Sequence, residues 1–250
     1  MSKTEVREFW EADPCGARHA QAAEGTRQFY DQVEDERNRL EPFIAAFADF
    51  ASARDRALLE IGVGVGTDFI RFARAGARVT GVDLTQHSVS LVRQRLALEG
   101  LTGEVQVADA EQLPFKDAAF DVVYSWGVLH HTPEPDLAIA EAVRVLKPGG
   151  RLCLMLYARH SWVAYGLWAR YGLLAGRPDR SLAWALAHHM ESSGTKGYTP
   201  GEVRERLTSQ VDGLTIEHVG TPYDRRVAGP LARVTGRQLG WFLVIRGRKR

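Results

Sequence analysis

The sequence predicts an α/β fold, a mostly parallel sheet with helices on both faces. Two observations predict it. Between residues 57 and 157, short apolar runs ending in Gly, Asp or Ser alternate with stretches of helical apolar spacing. One junction, Glu60-Ile61-Gly62-Val63-Gly64-Val65-Gly66-Thr67, is a glycine-rich turn between a strand and a helix. Strands joined by helical crossovers run parallel and are covered on both sides.

The elements follow in order. Residues 1–50 read as a helical cap: Phe29, Val33, Leu40, Phe43, Ile44 and Phe47 recur at roughly helical spacing, and Pro42 breaks the pattern. Residues 51–157 form the ligand-binding core. Its strands are expected at 57–61, 77–82, 104–108, 120–124 and 151–157, and its helices at 67–75, 88–98 and 135–146. Gly76 sits where a left-handed helix cap belongs. The last of these helices offers Leu137, Ile139, Ala140, Val143 and Leu146 as apolar positions, and Pro148-Gly149-Gly150 reads as a turn. Residues 158–198 interrupt the rhythm as an aromatic-rich helical insertion. Residues 199–250 complete the sheet, with Thr199 capping a helix at 200–207 and strands at 214–219 and 240–246.

Composition excludes several classes. The 32 Lys and Arg nearly balance 31 Asp and Glu, so no global field favours nucleic acid. The basic run Arg246, Arg248, Lys249, Arg250 reads as a solvated tail. Two cysteines, Cys15 in a turn and Cys153 in a strand, do not make a disulfide scaffold. Residues 1–10 carry charges throughout and lack a signal-peptide core. No stretch reaches the roughly 18 apolar residues of a spanning helix. These features predict a cytoplasmic protein with no stable membrane insertion. The apolar residues of 162–175 fall almost all round a helix, which fits burial better than lying flat on lipid.

The glycines permit a tight turn and close backbone approach to a ligand, and the helix opening at Thr67 offers free N–H groups. Their G-x-G-x-G spacing departs from the G-x-G-x-x-G of dinucleotide-binding dehydrogenases. Asp83, followed by Leu84, ends the second strand, where a carboxylate can accept both ribose hydroxyls. Asp109 ends the third, followed by Ala110 and Glu111. An acid there can accept an adenine amine while a backbone N–H meets a ring nitrogen. Three successive strand ends would then line one crevice at the carboxyl edge of the sheet.

The runs Leu58–Gly66, Val79–Leu84, Asp109–Phe115, Phe120–Ser125 and Arg144–Gly150 occur in the order found in class I S-adenosylmethionine-dependent methyltransferases. The sequence resembles that family over residues 57–157, and more narrowly its quinone C-methyltransferase and small-molecule O- and N-methyltransferase branch. The resemblance implies a Rossmann-like sheet of seven strands, the last antiparallel, and S-adenosyl-L-methionine as cofactor. Gly62, Gly64 and Gly66 would approach the methionine portion with Glu60 orienting the loop. Asp83 would hold the ribose, and Asp109, Ala110 and Glu111 would surround adenine. Ser125, Trp126 and Val128 would line the methionyl side.

Methyl transfer asks mainly for alignment of nucleophile, methyl and sulfur. A base is needed where the acceptor must lose a proton, and His131, with His130 in reserve, is the candidate after the fourth strand. A His in this place often serves only to order the loop. His188 and His189 are adjacent on an expected helix, diverge by about 100° and make poor joint metal ligands. A small-molecule acceptor would lie between the cap and the insertion, against Trp10, Tyr30, Tyr157, Trp162 and Tyr165. The rival readings are a dinucleotide-binding oxidoreductase, which the glycine spacing disfavours, and a non-catalytic module that keeps the cofactor fold. The acceptor, the methylated atom and the oligomeric state are not written in the sequence.

Overall fold

The computed structural model describes residues 2–250. Seven strands form one sheet: β1 (Ala57–Ile61), β2 (Arg78–Asp83), β3 (Glu104–Val107), β4 (Phe120–Trp126), β5 (Leu146–Tyr157), β6 (Val211–Val219) and β7 (Phe242–Lys249). Their order is β3-β2-β1-β4-β5-β7-β6. The first five pair in parallel, and β7 runs antiparallel to both β5 and β6. The chain turns from one half of the sheet to the other between β1 and β4. Open α/β sheets place their ligands outside the carboxyl ends at such a reversal.

Strand alternation divides the interior in two. Leu58, Val79, Val122, Cys153 and Met155 face one side, where Ile44, Phe47, Phe69, Ile70, Phe72, Val89 and Val92 cover them. Leu59, Val82, Val123, Leu152 and Leu154 face the other, under Ile139, Val143, Val203 and Leu207. Each fully buried aliphatic side chain contributes about 1.5–3 kcal/mol, so the central strands anchor the edge that carries the site.

The helices are α1 (Lys3–Ala12), α2 (Arg27–Leu40), α3 (Ile44–Ala48), α4 (Thr67–Arg74), α5 (Gln86–Glu99), α6 (Pro135–Arg144), α7 (Trp162–Trp168), α8 (Leu182–His189), α9 (Pro200–Leu207), α10 (Pro222–Ala228) and α11 (Leu231–Leu239). Local chemistry sets their ends. Thr85 accepts from Ser88 N to cap α5, Gly76 takes φ +88° after α4, and Thr199 with Glu202 makes a reciprocal cap on α9.

Four expectations differ from the structure. The basic run Arg246, Arg248 and Lys249, expected as a solvated tail, lies in β7, paired with β5 and β6. Pro148-Gly149-Gly150 lies within β5, as extra residues between the Phe120–Leu146 and Val122–Arg151 pairings. Leu137 of α6 is 54% exposed, because it faces away from the stripe formed by Ala138, Ile139, Ala142 and Val143. Residues 220–239, left unassigned by apolar spacing, form α10 and α11.

Candidate active site

The glycine turn sits at the carboxyl end of β1. Gly62 N donates to Val82 O at 2.8 Å, and Gly64 N donates to Asp83 Oδ2 at 3.0 Å. Gly62 and Gly64 take φ of +81° and +51°, a region closed to most side chains, and a Cβ on Gly62 would lie 2.2 Å from Val128 Cγ2. Thr85 donates to Asp83 Oδ1 from its backbone N at 3.0 Å and its hydroxyl at 2.8 Å. Asp83 thus ties the turn to the end of β2. Burial raises its pKa, against the pull of these donors.

One cavity opens over this edge. Glu60, Gly62, Gly64, Thr67, Asp83, Leu84, Asp109, Ala110, Trp126, Val128, His131 and Trp10 line it, bringing together most of the residues expected at the site. Others lie elsewhere. Ser125, one residue before Trp126 on the same strand, points to the opposite face and donates to Ile61 O at 2.9 Å. Glu111 turns towards α6 and accepts from Glu134 N at 2.7 Å. Gly66 ends the turn against Val92, where it lets α4 pack on α5.

The expected acceptor aromatics also separate. Tyr30 is buried between α2 and α5, its hydroxyl donating to Leu91 O at 2.7 Å. Tyr157 lies between His130 and Trp241, with ring centroids 3.9 and 4.1 Å away, and donates to Glu191 at 2.7 Å. Trp162 donates to Thr235 at 2.8 Å, and Tyr165 meets His160 at 3.1 Å. These four pack helices and strand together, and of the five aromatics expected to hold an acceptor Trp10 alone lines this cavity.

A buried ionic group forms part of the wall. The Arg37 guanidinium donates to Asp68 at 2.7 Å and lies 3.3 Å from Glu41. Tyr124 donates to the same Asp68 oxygen at 2.8 Å, and Trp126 Nε1 donates to Glu41 at 3.1 Å. Burial opposes charge on Arg37, but Asp68 and Glu41 outweigh it and hold its pKa well above the usual value. Glu60 Oε2 is buried without a hydrogen-bond partner. Burial, then the neighbouring Asp68 charge, push the Glu60 carboxyl well above its normal pKa. The sequence reading missed Arg37, Glu41 and Asp68. The available signal was the i,i+4 pair Arg37–Glu41 on a helix whose apolar face is buried.

The two histidines have different places. His130 is fully buried behind the cavity wall, its ring 4.3 Å from that of His131. Burial holds its pKa well below the usual value. His131 lines the cavity, and its Nδ1 lies 2.7 Å from Ser192 Oγ and 3.0 Å from Thr195 Oγ1. Its Nε2 has no hydrogen-bond partner and lies 3.9 Å from Glu191. Burial lowers its pKa to about 4, against the opposing charge of Glu191. His131 is therefore neutral near pH 7. In the tautomer protonated at Nδ1, that hydrogen goes to the hydroxyls and Nε2 carries the free lone pair. Lys196 holds this loop from the insertion, donating its backbone N to His130 O at 3.0 Å and its ammonium to Thr132 O at 2.6 Å.

Helix α1 crosses the mouth of the cavity. Lys3 meets Asp109 at 2.6 Å and Glu111 at 2.7 Å, and Val6 is buried. Trp10 lies edge-on to His131, with centroids 5.4 Å apart. Glu11 accepts from Gln86 N at 2.9 Å and His87 N at 3.0 Å, at the start of α5. Cys15 follows in the turn expected for it, and its exposed surface faces the cavity.

A family profile described as a methyltransferase domain matches residues 59–154. The chain is 43% identical over 105 residues to 27-O-demethylrifamycin SV methyltransferase of Amycolatopsis mediterranei, covering 41% of this chain and 38% of that relative. It therefore spans less than half the length of that protein. Among solved structures, magnesium protoporphyrin IX methyltransferase of Synechocystis, with bound SAH, superposes over 100% of both chains at TM-score 0.65 and 17% identity. The [4+2]-cyclase SpnF superposes over 99% of this chain and 96% of that one at TM-score 0.60 and 18% identity. The fold is thus shared with a protein named for another reaction, and the matched residues 59–154 carry the family assignment. Over residues 59–154 the chain carries a methyltransferase domain.

Proposed function

We propose that the protein transfers a methyl group from S-adenosyl-L-methionine to a small-molecule acceptor. The observation that carries this reading is the meeting, in one cavity, of the glycine turn, Asp83, Asp109 and His131, whose buried Nε2 has no hydrogen-bond partner. Asp83 would accept from the ribose hydroxyls, and Asp109 with the backbone of Ala110 would receive adenine. The methionyl end carries an ammonium and a carboxylate. The orphaned, buried Glu60 carboxyl suits the first, and Arg37 suits the second. When bound, the cofactor supplies a methyl group activated by its sulfonium.

The protein's part is to place the acceptor in line and exclude water. Trp10, Trp126 and Val128 give the cavity apolar surface. Where the acceptor is a hydroxyl or amine, His131 Nε2 would take its proton, with Glu191 favouring the imidazolium that results. Residues 1–50 and 158–198 act as covers of this site: α1 closes one side, and the segment 191–196 positions His131. Both cysteines are free, which suits a cytoplasmic setting. No described helix is long and apolar enough to cross a membrane.

Incubation with methyl-labelled cofactor and extracts of candidate acceptors tests the reading. Label should appear in a small molecule, and more slowly with the Asp83→Ala variant at subsaturating cofactor. Binding of the cofactor with no transfer to any extract would leave the binding-module reading in its place.

A further inference from the structure

Helices α7, α8, α10 and α11 form a connected layer beyond the active-site edge. Helix α7 packs on α8 and α10, and α10 packs on α11. Trp162 donates to Thr235 at 2.8 Å, and Val227 sits against Gly166. The outer surface of this layer is unlike the rest of the protein in two respects.

The first is charge. Residues 159–190 and 222–239 hold eight arginines against two acids, Asp179 and Asp224, in a chain of net charge +1. Asp224 is fully buried and takes up backbone donors at Thr221 and Trp241. Arg159 pairs with Glu202. The other seven arginines are exposed, and none lies within ion-pair distance of a carboxylate among the described residues. Elsewhere ten of the nineteen arginines, among them Arg74, Arg144 and Arg206, are in ion pairs. Arg225, Arg233 and Arg237 line one cleft beside β6, with His218 and a single carboxylate, Glu217.

The second is apolar exposure. Leu174 is 82% and Val234 79% exposed, and Leu173, Val227 and Leu231 are each about half exposed. Among the described residues, eight large apolar side chains are strongly exposed, and five of them belong to this layer. Unpaired arginines alternating along the chain with protruding aliphatic groups suit an interface that is anionic at its surface and apolar just beneath. Nucleic acid would satisfy the arginines and leave Leu174 and Val234 in water.

We propose that this layer docks the protein peripherally on an anionic lipid surface. Arg170, Arg177, Arg180, Arg225, Arg233 and Arg237 would meet the headgroup phosphates, and Leu174 and Val234 would enter the acyl boundary. Helix α8 of this layer leads directly into the segment whose Glu191, Ser192 and Thr195 approach His131. Docking would thus bring an acceptor dissolved in lipid next to the covers of the cavity. The binding itself does not depend on the methyl-transfer reading.

Co-sedimentation with vesicles of phosphatidylcholine alone, and of phosphatidylcholine mixed with phosphatidylglycerol, tests this on the full chain. Binding is expected for the mixed vesicles, to fall with added salt, and to be weak for neutral ones. Each arginine at the surface contributes about fivefold in partitioning, so Arg233→Gln with Arg237→Gln should lower it about 25-fold. Leu174→Asp with Val234→Asp should also weaken it, and circular dichroism melts like wild type would show that these exposed changes leave the fold intact. Equal retention by both vesicle types, no retention by either, or mixed-vesicle binding unchanged in both double variants would overturn the proposal. Arginine-dependent binding to duplex DNA without vesicle binding would overturn it in favour of nucleic acid.

Discussion

Lys3, near the start of the first helix, places its ammonium 2.6 Å from Asp109 at the end of β3. The carboxylate assigned to the adenine amine is therefore already held by the chain itself. Replacing Lys3 by Ala should release Asp109 and tighten binding of the cofactor product. Lys3 is 46% exposed, and exposed pairs contribute about 0–1 kcal/mol, so the gain should not exceed about fivefold. Titration calorimetry reads it directly. A large loss of affinity would place Lys3 among the binding groups instead of the competing ones.

His131→Ala should lower the single-turnover rate by about 10²-fold or more with cofactor affinity nearly unchanged, if the acceptor must lose a proton. His130→Ala should behave differently. Its ring packs between His131 and Tyr157, outside the cavity, so the cost should appear in stability, about 1–3 kcal/mol, by denaturant unfolding. Near-normal turnover in the His131 variant would assign the pair to ordering the loop.

The same pair predicts acid sensitivity. Burial lowers the folded pKa of His131 to about 4 from the ordinary 6.5, and burial holds that of His130 well below its ordinary value too. Below pH 6.5 the unfolded chain takes up protons that the folded chain refuses. Stability should therefore fall as pH drops from 6.5 towards 4, by up to about 1.4 kcal/mol per pH unit for each histidine. The slope of unfolding free energy against pH should be shallower in a variant with both replaced by Gln. An equal slope would show that carboxylates alone set the acid limit.

The covers should respond to ligand. Residues 158–198 and α1 are expected to exchange amide hydrogens faster in the free protein than with cofactor product and acceptor bound. Mass-spectrometric hydrogen exchange resolves both segments. Full protection of 158–198 without ligand, unchanged on adding both, would make it a fixed part of the core.

Much of this site was legible because its determinants are local. Glycines at 62 and 64 report a backbone that side chains could not adopt, and Asp83 and Asp109 close apolar runs whose strand character is plain. What failed was facing. Ser125 and Trp126 were both assigned to the methionyl side, yet neighbours on a strand point to opposite faces, and Trp126 alone reaches the cavity. Tyr30 lies on a helix that the apolar spacing located, but spacing does not say which partner that face meets. The ionic group of Arg37, Glu41 and Asp68 joins two helices far apart in sequence, which no local pattern reveals. Helices α10 and α11 did leave a trace: Thr221-Pro222 with Asp224 is a cap signature, and Pro230 precedes a further helix.

The central claim is that the cavity between Asp83 and Asp109 holds S-adenosylmethionine, and calorimetric titration of wild type and Asp83→Ala with the cofactor product tests it most directly. Charge-assisted bonds contribute about 1.5–3 kcal/mol each in favourable cases, so losing the ribose acceptor should weaken binding roughly tenfold or more. Asp83 also ties down Gly64, so a thermal melt of the variant accompanies the titration to show that the fold persists. The account predicts one binding site in the wild type and a folded variant of at least tenfold lower affinity; equal affinity in the two proteins, or no binding to the wild type, would contradict it.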